Sequence, residues 1–322
     1  MTIKKFILAA LFSTLLYASL FLFVMHKPLT IGVMNDYYDK KIGYVETLRS
    51  PKLVILAGSN GRFSHRCETI ELEHGISCIN MSIAATISID YQLERIKPYL
   101  GAGDMVYLPL EYGVLSKTVR EMAALDDVPF TAAYDRKYFF NQPLERLLPA
   151  IFYFDLKFLI SSAGEMALDR LGISRRFSSD TLTKQGDEKG HTLKKAEPYR
   201  RYLSQLEWGQ PGLRAPVPED MNVDADSARI VRDFLFYASD ADITVVGGLP
   251  TLFDDRQVPE SLVDSLAEFY RSAGHQFLVL EGFSQYPRSD FYDTPYHLSE
   301  PAQIRHSKLV GDQLARMMLA PH

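Results

Sequence analysis

The chain has 322 residues, 47% apolar and 23% charged, with two cysteines and a formal net charge of −5. That length allows one large domain or two small ones, the apolar share excludes a disordered chain, and 19 Gly with 17 Pro excludes collagen. Two cysteines cannot frame a disulfide-rich mini-domain or a Cys-based zinc module, and the acidic balance argues against nucleic acid, whose phosphates demand clustered Lys and Arg.

Lys4 and Lys5 precede about twenty uncharged, mostly apolar residues from Phe6 to Met25. At about 1.5 Å per helical residue this run crosses a hydrocarbon core of about 30 Å. A cleavable signal peptide has a shorter apolar region, of about 7 to 15 residues, and a small-x-small site, which nothing after Leu20 offers. Residues 1–27 therefore read as an uncleaved signal anchor or transmembrane helix, with cleavage as the alternative. Two lysines before the span, and only His26 and Lys27 just after it, favour an inner-membrane, single-pass protein with its main domain in the periplasm or outside the cell. Without residues 1–27 the net charge is −8, and so acidic a main domain is not expected to lie flat on anionic lipid.

From Pro28 to Ser50 the chain is a mixed connector, and a regular alternation follows. Lys52–Ala57, Ile76–Asn80 and Asp104–Leu110 are short β-rich runs, separated by a segment of helical spacing reaching His74 and by a helix over Ile89–Leu100 that holds Pro98 near its end. Asp242–Gly247 and Gln276–Leu280 supply two more runs around a helix from Pro259 to Ala273, and a last helix spans Ser299–Leu319. Apolar runs joined by helices are the pattern of buried parallel strands. The expected fold is an α/β core of about five parallel strands with helices on both faces. Residues of about 113–241 interrupt the alternation as a mainly helical insertion, either a cap over the sheet or a separate small domain. Within it Leu144–Leu171 reads as helix, and the polar stretch Ser178–Arg201 as a mobile surface loop.

Ligands gather at the carboxyl ends of parallel strands. Gly58, Ser59, Asn60 and Gly61 follow the first run, and glycines around a serine at a strand-to-helix turn leave the hydroxyl exposed with amides nearby. Ser59 is thus a candidate nucleophile, unless Ser59 or Asn60 merely caps the helix. A dinucleotide loop does not fit, since the third glycine is missing and the second run ends in Asn80 instead of an acid. Near the other end, Asp293 and His297 lie four apart before the last helix. A serine needs a histidine to take its proton, and the histidine needs an acceptor to hold its tautomer, which this pair supplies if the loop folds toward Ser59.

The GSN turn, the INMS segment after the second run and the late DTPYHL resemble the first, second and last blocks of the SGNH (GDSL-type) hydrolase superfamily. They are most like its membrane-anchored members associated with bacterial exopolysaccharide synthesis and acetylation. The resemblance covers roughly residues 51–112 and 242–319. It implies a flavodoxin-like three-layer sheet, Ser59 as nucleophile, His297 as base and Asp293 as its orienting acid. It also implies an O-acetyltransferase or esterase reaction on a cell-surface polysaccharide, with a membrane acyl-donor protein as partner if the reaction is transfer. Three positions depart from the family pattern: Asp293 and His297 have one residue more between them than DxxH, Ser82 replaces a glycine, and Glu111 replaces the asparagine after the third run. An oxyanion would then rely on the Ser59 and Ser82 amides, with the Asn60 or Asn80 side chain, while Glu111 either belongs to the site or accepts hydrogen bonds from the Gly58 turn.

Cys67 and Cys78 are either a disulfide or two free thiols. Arg62 is a candidate for steering an anionic substrate, His65 and His306 read as surface residues, and Tyr199, Tyr202 and Trp208 form either a sugar-stacking platform or a small core. No residue spacing suggests a metal, and no cofactor is expected. An acyl-transfer enzyme, a non-catalytic polysaccharide-binding or assembly protein and an esterase of other substrates all remain compatible with these residues.

Overall fold

The computed structural model describes residues 2–25, 29–123, 127–153, 156–172, 179–206, 217 and 221–319. In chain order the helices are α1 (Ile3–Met25), α2 (Leu29–Val45), α3 (Ser59–Ser64), α4 (Cys67–His74), α5 (Ile89–Ile96), α6 (Val119–Ala123) and α7 (Asp127–Tyr134). They continue with α8 (Arg136–Phe140), α9 (Leu144–Tyr153), α10 (Leu156–Arg170), α11 (Leu193–Gln205), α12 (Asp226–Asp240), α13 (Glu260–Arg271) and α14 (Glu300–Leu319). The strands are β1 (Leu53–Ile55), β2 (Cys78–Asn80), β3 (Met105–Leu108), β4 (Thr244–Gly248), β5 (Leu252–Phe253), β6 (Gln276–Leu278) and β7 (Gln285–Tyr286).

Five strands form one parallel sheet in the order β2-β1-β3-β4-β6, and these are the five runs expected from the sequence. The register sets Leu53 beside both Cys78 and Met105, and Val106 beside Val245. Side chains alternate across a strand, so each short apolar run serves two cores. Val54, Val106 and Val245 face Leu93 of α5, Phe234 of α12 and Leu266 of α13, whereas Leu53, Ile55 and Met105 face Ile70 of α4 and Val310 and Leu314 of α14. Burial on both faces explains why the runs are apolar throughout. β5 and β7 pair in parallel as a separate two-stranded ribbon. Cys67 and Cys78 form a disulfide that ties α4 to β2.

By its internal contacts the chain divides into two compact units: Met1–Asp36 with Arg120–Ser179, and Tyr37–Val119 with Asp180–His322. The expected insertion is therefore shared between them. The second unit contains the sheet. In the first, α1 packs on α7 and α10, with Phe21, Val128, Ala132, Phe139 and Phe158 in one apolar cluster. Ile3–Leu22 is long and apolar enough to cross a membrane, and none of it is buried. The expected helix over Leu144–Leu171 is two helices, α9 and α10; residues 154 and 155 lie outside the described residues.

The polar stretch Ser178–Arg201 is not the mobile surface loop that its composition suggested. Asp187 is fully buried, its carboxylate accepting from the Cys67 and Glu68 amides at 2.8 and 3.1 Å and from the Thr183 hydroxyl at 3.0 Å. It thereby caps α4 and satisfies amides that the helix cannot. Gln185 O accepts from Asn80 N at 2.8 Å, and Gly186 O accepts from the buried Lys41 ammonium at 2.7 Å. Residues 182–191 are a hydrogen-bonding clamp, which hydrophobic periodicity does not register because it contributes pairing in place of apolar surface.

Candidate functional site

Ser59 opens α3 directly after β1, and Glu111 follows β3. β1 lies between β2 and β3, so the strand order reverses here, and the carboxyl ends of β1 and β3 flank the crevice where ligands of open α/β sheets bind. Gly58 and Gly61 are required for space and not for backbone freedom. Gly58 has φ −72°, open to any residue, but a Cβ there would lie 2.6 Å from the Ala85 Cα, and one at Gly61 would lie 2.8 Å from the Ser82 Cβ.

Asp293 and His297 sit on a tight hairpin. Phe291 and Leu298 bridge its base and Tyr292 N donates to His297 O at 2.8 Å, so the loop absorbs the extra residue of the DxxxH spacing. Asp293 Oδ1 meets His297 Nδ1 at 2.7 Å. The hairpin docks on the end of α3: the Ser64 hydroxyl donates to Tyr296 O at 3.0 Å and accepts from Leu298 N at 3.4 Å. Phe63 stacks on the His297 ring with centroids 4.2 Å apart. Phe63 lies one helical turn after Ser59, and residues four apart share a helix face, so the imidazole packs on the face of α3 that carries the serine. No hydrogen bond joins Ser59 to His297, and His297 Nε2 has no partner among the described residues.

The candidates for oxyanion binding fare differently. Glu111 is buried, with Oε2 accepting from Gly58 N at 3.1 Å and Oε1 from Asn60 N at 3.2 Å, on either side of Ser59. Burial pushes its carboxyl above the ordinary value, opposed by its own amide, the Asn60 and Gly58 amides and the charge of His297. Asn60 Nδ2 donates one hydrogen to Pro109 O at 3.2 Å, and Oδ1 accepts from the Thr251 hydroxyl at 2.7 Å. Asn80 Nδ2 donates to Gly61 O and His65 O, and its Oδ1 accepts from Ser82 N at 3.1 Å, which occupies the Ser82 amide as well. The Ser59 amide has no partner among the described residues, and Asn60 Nδ2 keeps a second hydrogen. Asn80 and Ser82 thus spend their donors on holding the turn in shape, whereas the Ser59 amide and the second Asn60 Nδ2 hydrogen remain for an oxyanion.

Beneath them Lys41, fully buried, donates to Asn80 O, Ser82 O and Gly186 O at 2.6 to 2.7 Å. Burial and Arg62 pull its ammonium well below the ordinary value, against Asp187 and Glu188. Arg62 pairs with Glu188 at 3.3 Å and lies over the Tyr37 and Phe63 rings, which commits it to the clamp. His65 and His306 are fully buried, contrary to the surface positions expected. His306 Nδ1 meets the Tyr286 hydroxyl at 2.8 Å, its Nε2 meets His65 Nε2 at 3.3 Å, and burial pushes its pKa down to about 3.

His191 has no place in any sequence motif. It is 3% exposed, its ring contacts Phe63 and Tyr292, and neither ring nitrogen has a partner among the described residues. Burial lowers its pKa to about 4, with Glu300 raising it and His297 lowering it. The only local hint was the pair of glycines four apart, Gly186 and Gly190, both at positive φ. Tyr292 stacks near Phe63 at 6.0 Å and contacts Tyr199 at 5.7 Å, while Tyr202 is exposed and Trp208 lies outside the described residues. Among the described residues no group of three His, Cys, Asp or Glu side chains could hold a metal ion. No family model, curated protein or solved structure matches the chain.

Proposed function

We propose that this protein is a membrane-anchored serine acyltransferase or esterase of SGNH type, acting on an acyl group, usually acetyl, carried by a hydroxyl of a cell-surface polysaccharide. The observation that carries the reading is the Asp293–His297 bond at 2.7 Å on a hairpin seated against the helix that begins with Ser59. An imidazole whose Nδ1 proton is held by a carboxylate presents Nε2 as a base. In the reaction Nε2 takes the Ser59 proton, Oγ attacks the ester carbonyl, and the departing sugar hydroxyl receives the proton. Water or a second hydroxyl then resolves the acyl-serine by the same path in reverse. The Ser59 amide is available to the oxyanion. The order of the five-stranded sheet, second-first-third-fourth-fifth in chain order, supports the flavodoxin-like sheet that the resemblance implies. The apolar span, the lysines before it and the Cys67–Cys78 disulfide support a periplasmic site for the second unit, where disulfides persist. For transfer, a membrane protein would deliver the acyl group.

One observation favours a second reading, a polysaccharide-binding or assembly protein without turnover. The Asn80 side chain and the Ser82 amide are paired internally, and Glu111 brings a carboxylate to the turn. The test is hydrolysis of a chromogenic acetyl ester by the wild type, Ser59→Ala and His297→Ala. Turnover lost in both variants with folding intact supports the enzyme; a folded wild type inert toward the ester, with unchanged polymer acetylation in cells carrying Ser59→Ala, rejects it.

A further inference from the structure

We propose that α9 and α10 form an interfacial platform whose apolar face lies in the bilayer, in the headgroup region at the carboxyl end of the anchor helix. In the first unit α10 has one packed side, where Leu159 and Met166 are buried and Phe158 joins the cluster with Phe21. At 100° per residue, Leu156, Ile160 and Leu168 fall on a different arc of the same helix, and there they are exposed. Leu144 and Leu148 repeat the pattern four apart on α9, and Leu171 continues it just past α10. Leu144, Leu148, Leu156, Ile160 and Leu171 are 54% to 71% exposed, the range of Leu11, Leu15 and Leu16 in α1 itself.

A helix packed on one side and apolar on another needs a second cover. One observation identifies that cover as lipid. α10 packs on the anchor, and its Phe158 shares a cluster with Phe21, next to the carboxyl end of the apolar span Ile3–Leu22, which sets the start of α10 at the membrane boundary.

The test uses the full-length chain in phosphatidylglycerol and phosphatidylcholine vesicles, with its single native tryptophan replaced by Trp208→Phe and one new tryptophan introduced at a time. Leu148→Trp and Ile160→Trp are expected to lose fluorescence about two-fold with lipids brominated near the headgroup, as befits an interfacial position. Leu16→Trp reports the span through lipids brominated deep in the chain, and each variant in unbrominated vesicles is its own unquenched reference. Fluorescence at positions 148 and 160 unchanged by brominated lipid overturns the platform even where Leu16→Trp is quenched. Positions 148 and 160 shielded from both brominated lipid and aqueous acrylamide would reveal a protein partner and likewise overturn it.

Discussion

Two polar segments dock on α3, and they use their polar groups in opposite ways. The 291–298 hairpin bonds to Ser64 and holds His297 by one ring nitrogen, leaving Nε2 without a partner at a partly exposed position. The 182–191 clamp bonds to the Arg62 carbonyl through Glu188 N and buries Asp187 with its oxygens engaged by two amides and a hydroxyl. Complete pairing in the interior marks scaffold, because a satisfied buried group has nothing left to offer a substrate. Pairing on one side only, next to a crevice, marks a group poised for chemistry. His191 crosses the division: it belongs to the clamp by position, yet its ring has no partner and touches the same Phe63 that supports His297.

Variants of the hairpin should change turnover with little effect on stability, and variants of the clamp should do the reverse. The largest effect is expected from Asp293→Asn, which removes the acceptor that fixes the His297 tautomer. Ester turnover should fall about 10³- to 10⁴-fold with the thermal midpoint almost unchanged. A large loss of stability would place the pair in the scaffold instead. Asp187→Ala should cost about 4 kcal/mol in urea unfolding, since it strips two helix amides and Thr183 of a buried charged partner. The folded fraction should keep its activity per site; a specific loss of turnover would bring the clamp into the reaction.

His191 tests the division through pH. Its pKa is about 4 in the folded chain and near 6.5 when unfolded, so between these values the unfolded state binds the extra proton. Its share of stability is complete above pH 6.5 and is lost as the pH falls toward 4, amounting to about 3 kcal/mol. His191→Phe removes no hydrogen bond, so the fall in stability between pH 7 and pH 4 should shrink by that amount, as read from urea midpoints at both pH values. An unchanged profile would mean that His191 is solvated. The smallest effect belongs to Glu111→Gln, where one of the Gly58 and Asn60 amides would face a donor, at a cost of about 1 kcal/mol at neutral pH. Because the Glu111 pKa is raised on folding, this group by itself favours the folded state as the pH falls, and the variant should lose that dependence.

The five strands were legible because each run is buried on both faces and so is apolar at every position, as in Leu53–Ile55 between Ile70 and Leu93. Ser59, Asp293 and His297 were legible as residue types that chemistry needs at strand and loop ends. The partners of Asn60, Asn80 and Ser82 were not, since a side-chain amide has the same sequence signature whether it faces an oxyanion or Pro109 O. The burial of His65 and His306 was hidden for a similar reason: each lies on or beside an amphipathic helix, and only the docking of α14 against α4 closes over them.

Local sequence by itself determined the apolar span, the strand runs, the helices between them and the candidate nucleophile, base and acid, because periodicity and turn chemistry act over a few residues. Tertiary structure alone decided that Asp293 reaches His297, that Glu111 grips the amides around Ser59, and that Lys41 and Asp187 join segments more than a hundred residues apart. Those outcomes depend on which unsatisfied donor meets which acceptor once the sheet has formed, and no short window of sequence contains both partners.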